Sequence, residues 1–138
     1  MCHRLCLSLI LSCLALGGSA HSQPAPAPAA VLEAKWIADE VDNICGIKDL
    51  KKVSNPAKVD YDELWDATPQ IKKMKEKKID PESTEGKALR SQAKTLITKT
   101  CESVRAAKTH CSVWKAIKNE DKRTVPDLTK DVKDKLDE

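Results

Sequence analysis

One narrow apolar stripe on a lysine-rich helix constrains this chain more than any other feature of its sequence. Between residues 87 and 110 the apolar side chains fall at Leu89, Ala93, Leu96, Ile97, Cys101 and Val104. This spacing places them on one face of an α-helix, with Lys, Arg, Ser, Thr and Gln covering the rest. The rhythm then changes. Residues 111–117, Cys-Ser-Val-Trp-Lys-Ala-Ile, favour a short strand, because β-branched and aromatic residues outnumber helix formers. A polar turn follows at 118–123, Thr124 and Val125 are candidates for a second strand, and Pro126-Asp127 opens a closing helix over 128–136. A long basic helix feeding a small sheet implies an arm on a compact base. It does not imply a catalytic cleft.

The bulk composition limits how such a chain can bury itself. A third of the residues are charged, Phe is absent, and three Trp and one Tyr are the whole aromatic complement. Burial must therefore rely on Leu, Ile, Val and Ala along helix seams, which favours helical hairpins or coiled coils and favours oligomerisation. The expected fold class is mainly α with a small β element, an antiparallel helical hairpin on a short-stranded base.

The amino end bears on compartment. Arg4 supplies a positive charge, residues 5–16 an apolar run, and Gly18-Ser19-Ala20 small residues suited to signal peptidase. The run is well short of the roughly 20 residues needed to span a bilayer. Residues 1–20 are therefore expected to be a cleaved signal peptide, 21–30 a Pro/Ala-rich linker and 31–138 a single helical-hairpin domain. Losing Arg4 from 24 basic residues against 21 acids leaves a net charge of about +2. That near-balance, with export, argues against a nucleic-acid partner.

Cys2, Cys6 and Cys13 leave with the signal, and Cys45, Cys101 and Cys111 remain in an oxidising compartment where disulfides persist. An odd count permits one internal bridge and leaves a thiol free or paired between chains. Cys101 and Cys111, if joined by helix, would lie about 15 Å apart, beyond the roughly 7 Å reach of a disulfide. The bridge is expected from Cys45 to Cys101 or from Cys45 to Cys111. A metal site from Cys45, Cys101, His110 and Cys111 is disfavoured, because adjacent ligands are awkward and no CxxC pair exists.

Elsewhere, residues 31–53 carry apolar positions mostly at helical period, with Gly46 as a break, although 31–37 also fit a strand. Residues 54–57 form a connector. Asp60 with Glu63 matches a helix amino terminus, and Thr68-Pro69 restarts or kinks that helix. Residues 80–86 make a capped turn into the long helix. The helices over 60–79 and 86–110 are expected to run antiparallel, with arms of about 30–35 Å.

The order of helix, short strand, polar turn, then Val125-Pro-Asp-Leu-Thr-Lys-Asp-Val132 and Leu136 resembles the carboxyl end of the Skp/OmpH-type periplasmic chaperones. Residues 59–70 with Lys72-Lys73 resemble the family's strand-to-helix step, so the likeness covers about residues 58–136. The resemblance implies a homotrimer whose hairpins surround a cavity and shield unfolded outer-membrane or envelope proteins in the periplasm. This chain departs from the family in its shorter hairpin and in the extra segment 31–53 with Cys45.

A holdase also fits the residues themselves, since weak apolar stripes beside lysines make sequence-tolerant contacts. Lys72, Lys73, Lys75, Lys77 and Lys78 are the candidates for binding acidic clients or an anionic surface, including weak contact with anionic membrane. The competing reading of that cluster is a solvated helix face. Enzyme chemistry has little footing, and no cofactor is expected. A Cys111–His110 dyad fails because neighbours on a strand point to opposite faces. Asp60, Asp62, Glu63 and Asp66 lack the Gly and terminal Glu of a calcium loop, and four glycines form no phosphate loop. The expectation is a periplasmic holdase-type chaperone, secreted if the source is not bacterial. The alternative is a small secreted helical module docking on one specific envelope or host protein.

Overall fold

The computed structural model describes residues 35–137, so the expected signal peptide and linker lie outside the described residues. Among the described residues, five short strands and four α-helices make a mainly α fold with a small β element. The strands are β1 (Trp36–Ile37), β2 (Asn43–Gly46), β3 (Pro56–Lys58), β4 (Ser112–Trp114) and β5 (Lys118–Asn119). The helices are α1 (Tyr61–Ala67), α2 (Pro69–Glu76), α3 (Thr84–Ala107) and α4 (Thr129–Leu136).

Local chemistry sets the helix ends. Asp60 caps α1, its Oδ1 accepting from the N–H groups of Asp62 at 3.1 Å and Glu63 at 3.0 Å. Thr68 ends α1 because Pro69 has no N–H to continue the ladder, and Pro69 then begins α2. Ser83 caps α3, its hydroxyl accepting from Gly86 N–H at 3.0 Å. Gly86 is required there, since a Cβ would lie 2.1 Å from the Asp80 carbonyl oxygen. Both α2 and α3 end on left-handed residues, Lys78 (φ 51°) and Thr109 (φ 59°). In each, the next N–H reaches back five residues, Ile79 to Met74 O and His110 to Arg105 O, both at 3.0 Å.

β4 is the centre of a three-stranded mixed sheet, antiparallel to β2 and parallel to β3. Alternation along β4 sends Val113 to one face and Ser112 and Trp114 to the other. On the Val113 side, Leu64, Ile97, Cys101, Val104, Val132 and Leu136 bring α1, α3 and α4 together over the sheet. On the other side Trp114 packs with Val53 and Ile117, backed by Trp36 and Val125, and its indole N–H donates to Ser112 Oγ at 2.7 Å. The stripe of α3 is thus largely covered by its own chain, with Leu89, Ala93, Ile97, Cys101 and Val104 buried and Leu96 half-buried.

The segment 31–53, read as mostly helical, is corrected over its described part. It holds β1, β2 and two short 3-10 turns at Glu40–Asp42 and Leu50–Lys52. The spacing of Val41, Ile44 and Ile47 was a coincidence of period: Val41 and Ile47 are exposed, and it is Cys45 that is buried. Gly46, at φ 87°, lets β2 press against β4, where a Cβ would meet the Cys111 carbonyl oxygen at 2.4 Å. Part of the connector at 54–57 enters the sheet as β3. The second strand after β4 is Lys118–Asn119, pairing antiparallel with β1, rather than Thr124 and Val125.

Candidate interaction surface

The five candidate lysines occupy α2 and its carboxyl end, all exposed. Three face acids brought from elsewhere in the chain: Lys72 with Asp137 at 3.1 Å, Lys73 with Glu85 at 3.8 Å and Lys75 with Asp66 at 2.9 Å. Exposed pairs of this kind contribute only about 0–1 kcal/mol, yet they cancel much of the field the run would otherwise project. Lys77 and Lys78 form the turn after the helix, with Lys78 in the left-handed conformation.

The cysteines divide between the two sides of the sheet. Cys45 on β2 and Cys101 on α3 belong to the same buried cluster under the helices. Cys111 is half-buried near the Trp114 cluster, its Sγ accepting from Asn55 N–H at 3.3 Å. All three thiols are free. Burial pushes Cys101 up to about 12, with the neighbouring Cys45 adding to the effect. Burial also pushes Cys45 up to about 12, helped by a hydrogen bond to the Glu102 carboxylate. These are protonated, weakly nucleophilic thiols. His110 sits with Nδ1 3.3 Å from the Asn55 carbonyl oxygen. Among the described residues no group of three or more His, Cys, Asp or Glu gathers to hold a metal ion.

The acids near α1 do structural work. Asp127 precedes α4, and its carboxyl is held below the usual range first by the Thr129 hydroxyl, which donates to Oδ1 at 2.6 Å. Thr129 Oγ1 also accepts from Asp60 N–H at 2.8 Å, which ties the start of α4 to the start of α1. Lys115 lies over the Tyr61 ring at 4.3 Å, and Tyr61 stacks on Trp65 with ring centroids 6.1 Å apart.

Sequence reasoning missed the amino-terminal arm. Ile37, Val41 and Ile47 are the large apolar side chains left exposed among the described residues, at 56, 82 and 39%. Val41 rides on a turn flanked by Asp39, Glu40 and Asp42, and β2 beside it is an edge strand of the three-stranded sheet. The only advance signal was the acid-flanked valine itself. Among the described residues no helix is long and apolar enough to cross a membrane. No family model, curated protein or solved structure matches the chain.

Proposed function

We propose that the protein is an exported, non-enzymatic interaction module whose amino-terminal arm docks on one specific envelope or host protein. The observation that carries this reading is the exposure of Ile37, Val41 and Ile47 together on one short segment, while the stripe of α3 is largely covered. Single exposed apolar residues are ordinary. A group beside an edge strand offers both apolar area and unpaired backbone groups to a partner. The acids flanking Val41 call for a partner surface that is apolar at its centre and basic at its rim.

The test is a photo-crosslinking amino acid at position 41, with a control at exposed Lys94, in the living source cell. One discrete adduct at 41 and none at 94 supports the module. No adduct at 41 overturns it.

A second reading is a Skp/OmpH-like periplasmic holdase, a homotrimer with α2 and α3 as its helical hairpin. The observation favouring it is that α2 lies along the first half of α3, joined by Lys73 and Glu85 near the turn. Such a protein sediments as a trimer and suppresses aggregation of an unfolded outer-membrane barrel protein at stoichiometric ratios. Its crosslinks would form a smear of many products. A monomer that leaves aggregation unchanged ends that reading.

A further inference from the structure

β5, the strand paired with β1, and the segment after it enclose a second feature. A cleft of about 380 Å³ opens between β5 and residues 122–125. Ile117 and Val125 give it an apolar floor. Lys58, Lys118, Lys122 and Arg123 also line it, and none of its lining residues is acidic. Lys58 is engaged by Asp127 at 3.8 Å. Two acids sit in the turn beside the cleft: Glu120 is engaged by Lys35 at 3.5 Å, and Asp121 is exposed.

The informative residue is Asn119. It lines this cleft and is 7% exposed. Its Oδ1 accepts from Asp121 N–H at 2.9 Å, which fixes the orientation of the amide. Its Nδ2 is then buried with no acceptor. The residue directly opposite it in the ribbon is Trp36, whose indole N–H is likewise buried without an acceptor. Leaving a buried donor unpaired costs about 1–3 kcal/mol; Trp36 is not among the residues lining the cleft, so it is Asn119 Nδ2 that marks a place there where an acceptor belongs. Asn119 also shapes the rim, because its carbonyl accepts from Lys122 N–H at 3.1 Å and Lys122 takes the left-handed conformation there (φ 57°).

We infer that this cleft binds a small amphiphilic anion, an oxyanion head on a short apolar tail. Lys122 and Arg123 supply charge to the head, Asn119 Nδ2 donates to one of its oxygens, and the tail lies on Ile117 and Val125. Pockets of about 300–1,000 Å³ with apolar walls and a few convergent polar groups suit ligands of this size.

The experiment is an amide-resolved NMR titration of the protein with octanoate, octyl phosphate, octanol and inorganic phosphate, and with phosphatidylglycerol vesicles in a separate arm. Octanoate or octyl phosphate should give saturable shifts in residues 117–125 and in the Asn119 side-chain amide. Octanol and inorganic phosphate should each bind at least about tenfold more weakly, since each lacks one half of the recognition. The vesicle arm separates a lipid headgroup from a free anion as the source, and saturable shifts at the same residues support the cleft in either case. Asn119→Asp keeps the acceptor for Asp121 N–H and replaces the donor with a negative oxygen; it should weaken octanoate about tenfold or more. Should that variant unfold, Lys122→Gln with Arg123→Gln alters exposed groups only and should weaken binding and flatten its salt dependence. Equal binding of octanol and octanoate, non-saturating shifts, or unchanged affinity in the exposed double variant would overturn the proposal. So would a crystal structure with only an ordered water on Asn119 Nδ2 after soaking with both octyl anions.

Discussion

Replacing Ile97 by Ala separates a buried seam from a displayed one. Ile97 is fully buried in the cluster formed by α1, α3, α4 and the sheet. Truncation removes three carbons, and at about 0.8 kcal/mol for each buried CH₂ the transfer loss is near 2.4 kcal/mol. A residual cavity of some 50–80 Å³ adds about 1–2 kcal/mol at the usual cost per volume. Alanine's better helix propensity returns about 0.4 kcal/mol. The expected net loss is therefore about 3–4 kcal/mol, or some 15–20 °C in Tm for a domain of this size. Urea unfolding followed by far-UV circular dichroism measures it, with an unchanged m-value confirming the same folded state. Thr95→Ala, on the exposed side of α3, should change stability by less than about 0.5 kcal/mol. A loss below about 1 kcal/mol for Ile97→Ala would refute the burial of the stripe and restore α3 as a surface free to grip clients.

Three further outcomes follow from the same packing. In the reduced protein at pH 8, Cys111 should react with a disulfide reagent at once. Cys45 and Cys101, pushed from 9.0 to about 12, carry about a thousandfold less thiolate than an ordinary thiol and should react only as the fold opens. Since the folded state holds those two protons more tightly than the unfolded chain, their contribution to stability is full below pH 9 and is lost as pH rises toward 12; flat denaturation midpoints from pH 8 to 11 would contradict it. Gly86→Ala should cost about 2–4 kcal/mol, because the new Cβ collides with backbone at Asp80 and Pro81, and thermal melts would read the loss directly. Asp60→Ala should cost about 0.5–2 kcal/mol, and amide exchange should quicken first at Asp62 and Glu63, whose N–H groups lose their acceptor.

What was legible in the sequence is what short-range chemistry decides. The cap at Asp60, the break at Thr68-Pro69, the turn into α3 and the closing helix each depend on residues within a few positions of one another. The amino-terminal arm was illegible because Val41, Ile44 and Ile47 mimic a helical period, whereas their surroundings come from β4, far along the chain. β5 hid inside a polar turn for the same reason: its strand character comes from pairing with Trp36 and Ile37. At the candidate surface, the lysine run was visible as composition, but Asp66, Glu85 and Asp137 reach it only through tertiary packing. Asn119 carried no signal at all. A polar residue in a Lys-Asn-Glu-Asp turn reads as solvated, and only the ribbon with β1 buries it.

The covering of the α3 stripe also changes where a partner, including a second copy, could gain most. A chain with so few aromatics was expected to complete its core by association along its helices. The short helices α1 and α4 and the sheet close over Ile97, Cys101 and Val104 within one chain, and Leu96 stays half-buried beside them. Association free energy scales first with apolar area removed from water, and among the described residues the large apolar side chains left exposed are Ile37, Val41 and Ile47. Charge reinforces the contrast. The α2 face carries paired ions, whose desolvation in an interface would offset much of any gain, whereas the arm sets its valine among acids that a basic rim can meet. Any assembly of this protein should therefore be lost in a Val41→Asp variant and insensitive to Lys72→Gln. Sedimentation velocity of the two variants reads both, and the opposite pattern would place the interface on the helices.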